Sequence, residues 1–237
     1  MELVQVILVI FLAVFVQSLS GFGVALIAMA ILPGIVGIRI ATPLVALVSL
    51  TIVFFLLIRY HKEVILGEVW PIAAAAVVGI PLGIWIFRDL DEQIFLTGLG
   101  IVISGYAAYA LLSIKMPELS NPAWGYVAGL LAGMLGGAYN TAGPPVIIYG
   151  NCKRWPLMEF KGNLQGFFMV SSIFVVLGHA VGRNFTLQVW EYYLWALPAI
   201  GVGYLAGTYL DRFLNQEVFR NVVLILMLIM GFRLIIH

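Results

Sequence analysis

Residues 136–145 have the sequence Gly-Gly-Ala-Tyr-Asn-Thr-Ala-Gly-Pro-Pro and interrupt an otherwise apolar stretch over residues 122–150. Glycine permits backbone conformations that other residues avoid, and a proline lacks the N–H that a continuing helix needs. The segment therefore predicts a break in a helix. Asn140 and Thr141 place polar side chains at that break, where apolar surroundings penalise any group that is not hydrogen-bonded.

The composition of the chain indicates that lipid surrounds this break. Of the 237 residues, 63% are hydrophobic and only 10% are charged, with a mean hydropathy of +1.09. Soluble domains carry about 25% charged residues, so this chain could not cover a soluble globule with polar groups. Inside a bilayer, backbone leaves helical geometry only where it is buried in protein or lines a wet cavity. The net charge of +1 provides no basic field for a nucleic-acid partner.

Further apolar runs along the chain are long enough to cross a membrane, which takes about 20 residues. They cover residues 40–58, 68–87, 93–114, 160–180, 188–210 and 217–236. Residues 2–36 form a second interrupted stretch, joined by Ser18-Leu19-Ser20-Gly21-Phe22-Gly23. Each half of the chain is thus predicted to contain a broken helix pair followed by three full helices.

The two halves also resemble each other. Aligning residues 79–95 with residues 203–219 matches Gly79 with Gly203, Gly83 with Gly207, Arg88 with Arg212, Leu90 with Leu214 and Phe95 with Phe219. We expect an all-α integral membrane protein of two repeats, residues 1–117 and 118–237, forming one transport domain. Each repeat would hold a broken pair, spanning or re-entrant, plus three transmembrane helices, giving eight to ten membrane segments in total.

The positions of lysine and arginine favour an inverted arrangement of the repeats. With an odd number of crossings per half, one side of the membrane receives eight of these residues and the other side four; the eight are Arg59, Lys62, Lys115, Lys153, Arg154, Lys161, Arg212 and Arg220. Because the cytoplasmic side carries the excess, this bias predicts inverted halves with both termini outside the cytoplasm.

Inverted repeats with interrupted helices are typical of secondary transporters, whose substrates bind where the helices break. Asn163 and Gln165 lie in the apolar run after the second break and could hydrogen-bond a solute. Lys161 fits the mouth of a cavity, although an anchor at the membrane interface is the simpler interpretation, as it is for Arg39. The alternative for both breaks is that they only allow close helix packing.

Other classes of site lack the residues that they require. Cys152 is the single cysteine, no two acidic residues lie at membrane depth, and the chain contains no His-Glu-x-x-His motif. A carboxylate-based cation site and a membrane-embedded enzyme are therefore not expected. Neither a metal nor a cofactor is expected.

The run from Gly136 to Pro145, followed by Val-Ile-Ile-Tyr up to Tyr149, resembles the second-half signature of the sulfite exporter TauE/SafE family. Ser20-Gly21-Phe22-Gly23 is similar to its shorter first-half counterpart. The resemblance implies an inner-membrane permease for small sulfur-containing anions such as sulfite or sulfonates. The substrate-binding residues predicted from the sequence and the resemblance are Ser20, Gly21, Phe22, Gly23, Asn140, Thr141, Gly143, Pro144, Asn163 and Gln165.

The expected partners are thus a small anionic substrate and the lipid bilayer. We expect the broken helix ends to present free backbone N–H groups, which together with hydroxyls and amides suit an oxyanion. A passive anion channel and a non-transporting scaffold or assembly subunit are the alternatives to a carrier. Small residues at spacings of four should pack helices together, or form the interface of a homodimer. They are Gly79 and Gly83, Gly203 and Gly207, and Gly125, Gly129 and Gly133.

Overall fold

The computed structural model describes residues 1–87, 91–112, 117–119, 121–211, 213 and 216–236, and its regular elements over these ranges are helices. The α-helices are α1 (Glu2–Ser20), α2 (Val24–Ile31), α3 (Pro33–Val36), α4 (Ile38–Tyr60), α5 (Leu66–Phe87), α6 (Glu92–Leu111), α7 (Ala123–Tyr139), α8 (Gly143–Cys152), α9 (Leu157–Val181), α10 (Leu187–Leu210) and α11 (Gln216–Ile236), with a short 3-10 turn at His61–Glu63. The six predicted full helices are confirmed, each to within one helical turn at its ends.

Five helical stretches within the described ranges are long and apolar enough to cross a membrane. They are Glu2–Ser20, Ile38–Glu63, Leu66–Ile86, Gln93–Leu111 and Leu157–Val181. The protein is therefore an all-α, multi-pass membrane protein, while the total of eight to ten segments stays a prediction.

Both predicted breaks are present, and both are narrower than the sequence suggests. α1 runs to Ser20 before α2 begins at Val24, and α7 runs to Tyr139 before α8 begins at Gly143. Pro144 lies in the first turn of α8 rather than in the gap. A proline is tolerated there because the first N–H groups of a helix have no partner within the helix.

One left-handed residue closes the helix before each break. Gly21 has φ 87° and donates its N–H to the Gln17 carbonyl at 2.7 Å. Asn140 has φ 59° and donates to the Gly136 carbonyl at 3.0 Å. Glycine and asparagine are the residues that adopt this conformation most readily, so both helices end where the sequence permits a reversal.

The described chain forms two compact units. Unit 1 contains residues 1–45, 89–115 and 185–237, and unit 2 contains residues 46–88 and 116–184. Each unit draws on both predicted repeats, and the repeat boundary after residue 117 stays a prediction. Several residues used to predict the repeat and its orientation lie outside the described ranges, namely Arg88, Leu90, Lys115, Arg212 and Leu214.

In unit 2, glycines bring α5 and α7 together side by side. A Cβ on Gly129 would lie 2.8 Å from the carbonyl carbon of Ile72, and one on Gly133 would lie 2.8 Å from the Cα of Ala76. Residue numbers rise together along the contact, so the two helices are parallel.

In unit 1, α1 and α10 meet in the same way. A Cβ on Gly203 would lie 3.0 Å from the Phe11 carbonyl oxygen, and one on Gly207 would lie 2.6 Å from that of Phe15. In unit 2, a Cβ on Gly79 would likewise meet the carbonyl oxygen of Leu130, and one on Gly83 would meet that of Met134. The predicted packing role of these glycines is confirmed, and a homodimer stays a prediction.

The helix contacts of the first half of the chain recur in the second half at a constant offset in residue number. The number of residues that separates Phe11 from Leu130 also separates Phe15 from Met134, and Gly21 from Asn140. A duplicated chain would produce this recurrence.

The last helices of the two halves, α6 and α11, pack against each other in unit 1. Added Cβ atoms on Gly100 and Gly231 would each meet backbone of the other helix. Gly100 faces Leu234 and Ile235, whereas Gly231 faces Ser104. The helices are therefore antiparallel, which is the direction that counterparts in inverted halves require.

The glycine contacts can be tested by adding a single methyl group. We expect Gly129→Ala to lower the free energy of unfolding by about 1–3 kcal/mol, because rigid backbone leaves the methyl no room. Gly201→Ala is the matched control, since a Cβ at Gly201 has nothing within 4 Å. Thermal denaturation of the purified protein in detergent measures both, and equal melting temperatures would contradict the close approach of α5 and α7.

Candidate functional site

At the first break, in unit 1, a side chain of the break satisfies a backbone N–H group. The Gln17 side chain is buried, and its Oε1 accepts the N–H of Val24, the first residue of α2, at 2.8 Å. The expectation that broken helix ends leave N–H groups free for an anion is therefore wrong at Val24. A buried N–H costs about 1–3 kcal/mol when unpaired, and here Gln17 satisfies it.

The predicted site residues of the first break have structural partners. The Ser20 Oγ accepts the Phe22 N–H at 3.3 Å and lies within hydrogen-bonding distance of the Val16 and Phe22 carbonyls, at 2.8 and 2.6 Å. The Phe22 ring packs edge-on against Tyr106, with centroids 6.2 Å apart. Gly21 and Gly23 both have positive φ, so each position needs glycine for its conformation.

The second break, in unit 2, contains a polar side chain without a partner. Thr141 is 1% exposed, and its Oγ1 has no hydrogen-bond partner within the described structure. Its backbone N–H, by contrast, donates to the Leu135 carbonyl at 3.2 Å. A buried hydroxyl left unpaired costs about 1–3 kcal/mol, so its position calls for a ligand or another physical reason.

α9 lies against this break. A Cβ on Gly136 would lie 3.5 Å from the Oγ of Ser171, which is 3% exposed, and a Cβ on Gly143 would lie 3.7 Å from the Phe168 ring. Ala142, the N-cap residue of α8, has no side-chain oxygen to cap the helix, and Pro144 has no N–H to offer. The hydroxyls of Thr141 and Ser171 therefore lie at the second break, where Asn140 is also located.

Asn163 and Gln165 are fully buried on α9, but Asn163 has a partner away from the break. Its Oδ1 accepts the N–H of Ile65, in the turn before α5, at 2.7 Å. Eight residues separate Asn163 from Ser171, which corresponds to about 12 Å along a helix. The structure thus separates Asn163 from Asn140 and Thr141, which the sequence prediction had grouped in one site.

The side chain of Lys161 is buried, with only 3% of the residue exposed. Its Nζ lies 5.9 Å from the centroid of the Tyr60 ring. The simpler interpretation of Lys161, an exposed anchor at the interface, is therefore wrong. Arg39, for which the same interpretation was made, is exposed as an anchor requires.

The model of the sulfite exporter TauE/SafE family matches residues 6–234. The chain belongs to the sulfite exporter TauE/SafE family. It is therefore a membrane transporter, and the recognition based on the two break motifs is confirmed.

A curated relative agrees with this TauE/SafE assignment. The probable inner membrane transporter protein TsaS of Comamonas testosteroni is 26% identical to this chain over 162 residues, which is 68% of each protein. No solved structure is significantly similar to this TauE/SafE chain.

Ser171 was not among the residues predicted from the sequence. It lies on α9 eight residues after Asn163, with Phe167 halfway between them, and all three are buried. Residues four apart share a helix face, so the polar residues on the face that contains Asn163 would have pointed to Ser171. The role of Gln17 could not be found in this way, because a side-chain bond across a break has no periodic signal.

Asn140 offers a test that separates conformation from binding. We expect Asn140→Gly to keep the melting temperature, because glycine adopts φ 59° freely and Gly21 closes the first break in the same way. Asn140→Ala should destabilise the fold by about 1–2 kcal/mol, because alanine disfavours the left-handed conformation.

Thermal denaturation and substrate flux, measured on both variants, distinguish the two roles of Asn140. A stable Asn140→Gly protein that no longer transports would show that the side chain binds substrate. Full transport by Asn140→Gly would show that Asn140 contributes only its backbone conformation and that its side chain does not bind substrate. Equal stability of the two variants would contradict the left-handed cap.

Proposed function

We propose that this protein is a secondary transporter that exports small sulfur-containing anions, such as sulfite or organosulfonates, across the inner membrane. Family membership supports transport of a small solute, and the TsaS relative is named as an inner membrane transporter. The observation that carries the proposal is the buried, unpaired hydroxyl of Thr141 at the second break.

A sulfur oxyanion is the ligand class that this hydroxyl suits. Sulfite and sulfonates present several acceptor oxygens, and a hydroxyl donates one O–H while it rotates to suit its partner. A hydrogen bond to a charged acceptor is worth about 1.5–3 kcal/mol, more than a neutral one. The Ser171 hydroxyl, on the helix that packs against the break, provides a second donor for the same anion.

Thr141→Val tests the proposal without changing the shape of the side chain. We expect the variant to be at least as stable as the wild type, because it removes an unpaired polar atom, and yet to lose sulfite binding. Binding is measured as thermal stabilisation, since a ligand at 100 times its Kd adds about 2.7 kcal/mol. The panel is sulfite, sulfate, thiosulfate, sulfoacetate, taurine and a carboxylate.

Two further variants serve as controls for Thr141→Val. Thr141→Ser keeps the hydroxyl and should keep binding. Thr51→Val removes a hydroxyl that already donates to the Leu47 carbonyl at 2.9 Å, and it should leave sulfite binding unchanged. Unchanged binding by Thr141→Val would exclude the hydroxyl as a ligand. A wild-type protein that responds to no anion in the panel would contradict anion transport altogether.

The direction of transport has an electrical consequence. An anion that leaves a cell with a negative interior releases about 2.3 kcal/mol of free energy per charge per 100 mV of membrane potential. We expect sulfite efflux from proteoliposomes to accelerate when an interior-negative potential is imposed and to show saturation and counterflow. Efflux that ignores the potential would contradict potential-driven export, and flux without saturation or counterflow would indicate a passive channel.

A further inference from the structure

Ser49, on α4, carries a buried hydroxyl that the fold leaves unpaired. A hydroxyl within a helix can bond the carbonyl four residues earlier, as Thr51 on the same helix does with Leu47 at 2.9 Å. Ser49 makes no such bond, because its Oγ is buried and has no hydrogen-bond partner within the described structure. Like the hydroxyl of Thr141, it is a donor that the chain does not use, and such a group calls for a ligand or another physical reason.

The part of α4 that belongs to unit 2 packs against α9, and the two helices run in opposite directions. Ala46 of α4, Ile80 of α5 and Val175 of α9 form one buried apolar cluster. Fourteen residues after Ala46, the Tyr60 ring lies 5.9 Å from the Nζ of Lys161, which precedes Val175 by the same fourteen residues. Residue numbers therefore rise along α4 as they fall along α9, so the helices are antiparallel.

Ser49 and Ser171 lie at the same level of this helix pair. Ser49 follows Ala46 by three residues, which is about 4.5 Å along α4. Ser171 precedes Val175 by four residues, which is about 6 Å along α9. Because the helices are antiparallel, both steps lead in the same direction. Residues three or four apart share a helix face, so each hydroxyl lies on the side of its helix that faces the other helix.

The second break adjoins this level. A Cβ on Gly136 would lie 3.5 Å from the Ser171 Oγ, and one on Gly137 would meet the carbonyl oxygen of Ile80, a member of the apolar cluster. The end of α7 therefore packs where α4, α5 and α9 come together. Thr141 lies in the break itself, directly after this end of α7, and is 1% exposed.

We propose that the Ser49 hydroxyl is the third donor of the anion site at the second break, and that three hydroxyls select a head group with three oxygens. The inference rests on the proposed function and names the part of the substrate that the site recognises. Sulfite and the sulfonates carry three oxygens on one sulfur, whereas a carboxylate carries two. Ser49, Thr141 and Ser171 can each donate one O–H to a different oxygen of the sulfur group. With a carboxylate, one of the three buried donors stays unpaired, which costs binding free energy.

The experiment compares two anions that differ only in the head group, ethanesulfonate and propionate, together with sulfite. Binding to the purified full-length protein is measured by calorimetric titration. We expect Ser49→Ala to raise the Kd of sulfite and ethanesulfonate about tenfold or more, because a hydrogen bond to a charged acceptor is lost. The Kd of propionate should be nearly unchanged, since two hydroxyls remain for its two oxygens. The preference for the sulfonate over the carboxylate should fall accordingly.

Ser104→Ala is the matched control for Ser49→Ala. The Ser104 hydroxyl is also buried and unpaired within the described structure, but it lies in unit 1, where α6 meets Gly231 of α11. Each substitution removes an unpaired buried oxygen, so both variants should melt no lower than the wild type. Only Ser49→Ala should change anion binding. A melting temperature that falls in Ser49→Ala but not in Ser104→Ala would show that the Ser49 hydroxyl serves the fold, and would overturn its role as an unused donor.

The binding outcomes separate this inference from the proposed function. If Thr141→Val impairs sulfite binding while Ser49→Ala binds sulfite as Ser104→Ala does, Ser49 is excluded from the site and the proposed function stands. An equal loss for ethanesulfonate and propionate in Ser49→Ala would overturn selection of the three-oxygen head group. If the wild type binds none of the anions, both proposals fail together.

Discussion

Backbone N–H and C=O groups inside a bilayer have no water to bond, so a membrane-embedded chain must satisfy them from within. Uninterrupted helices do so automatically, and at the two interruptions the fold supplies partners for the N–H groups that follow the first helix of each pair. Gly21 and Asn140 turn their N–H groups back onto α1 and α7, and Gln17 reaches across the first break to the N–H of Val24. This requirement explains why each break is only a few residues long.

Close contact between helices is the second requirement of a folded membrane protein, and here glycine makes it possible. Apolar side chains gain nothing by leaving lipid for one another, so membrane helices associate through close packing and hydrogen bonds. α5 with α7, and α1 with α10, approach until added methyl groups would overlap backbone. The helices that carry the breaks, α1 and α7, are the ones held in this way. The polar groups at each break are thus fixed by rigid neighbours, which a binding site requires.

Much of this architecture could be predicted from the sequence, because apolar run length and broken periodicity are local signals. The spans, the two breaks and the packing glycines all follow from such signals. The length of each break could not be predicted from these signals. A proline that stops one helix is also tolerated in the first turn of the helix that follows, so it does not mark where the second helix begins. The separation of Asn163 from Thr141 could not be predicted either, since it depends on a bond to Ile65, 98 residues away in the chain.

The burial of Lys161 was missed for a similar reason. A lysine near the start of an apolar run has the same sequence context whether it reaches an interface or packs over an aromatic ring. Only the tertiary contact with Tyr60, which belongs to a different helix, distinguishes the two. Composition and spacing therefore locate candidate residues but leave open which of them are already satisfied by the fold.

The recurring contacts suggest how two similar breaks acquired different roles. The spacing that matches Gly21 with Asn140 also matches Gln17 with Gly136. Gln17 caps α2, whereas Gly136 has no side chain to cap α8, and Ala142 and the Ser171 hydroxyl lie beside it. The first break is therefore closed by the chain itself, and Thr141 at the second is left with a donor that the chain does not use. Because an unpaired buried donor lowers stability, the second break is the one where a bound anion would restore the lost hydrogen bond.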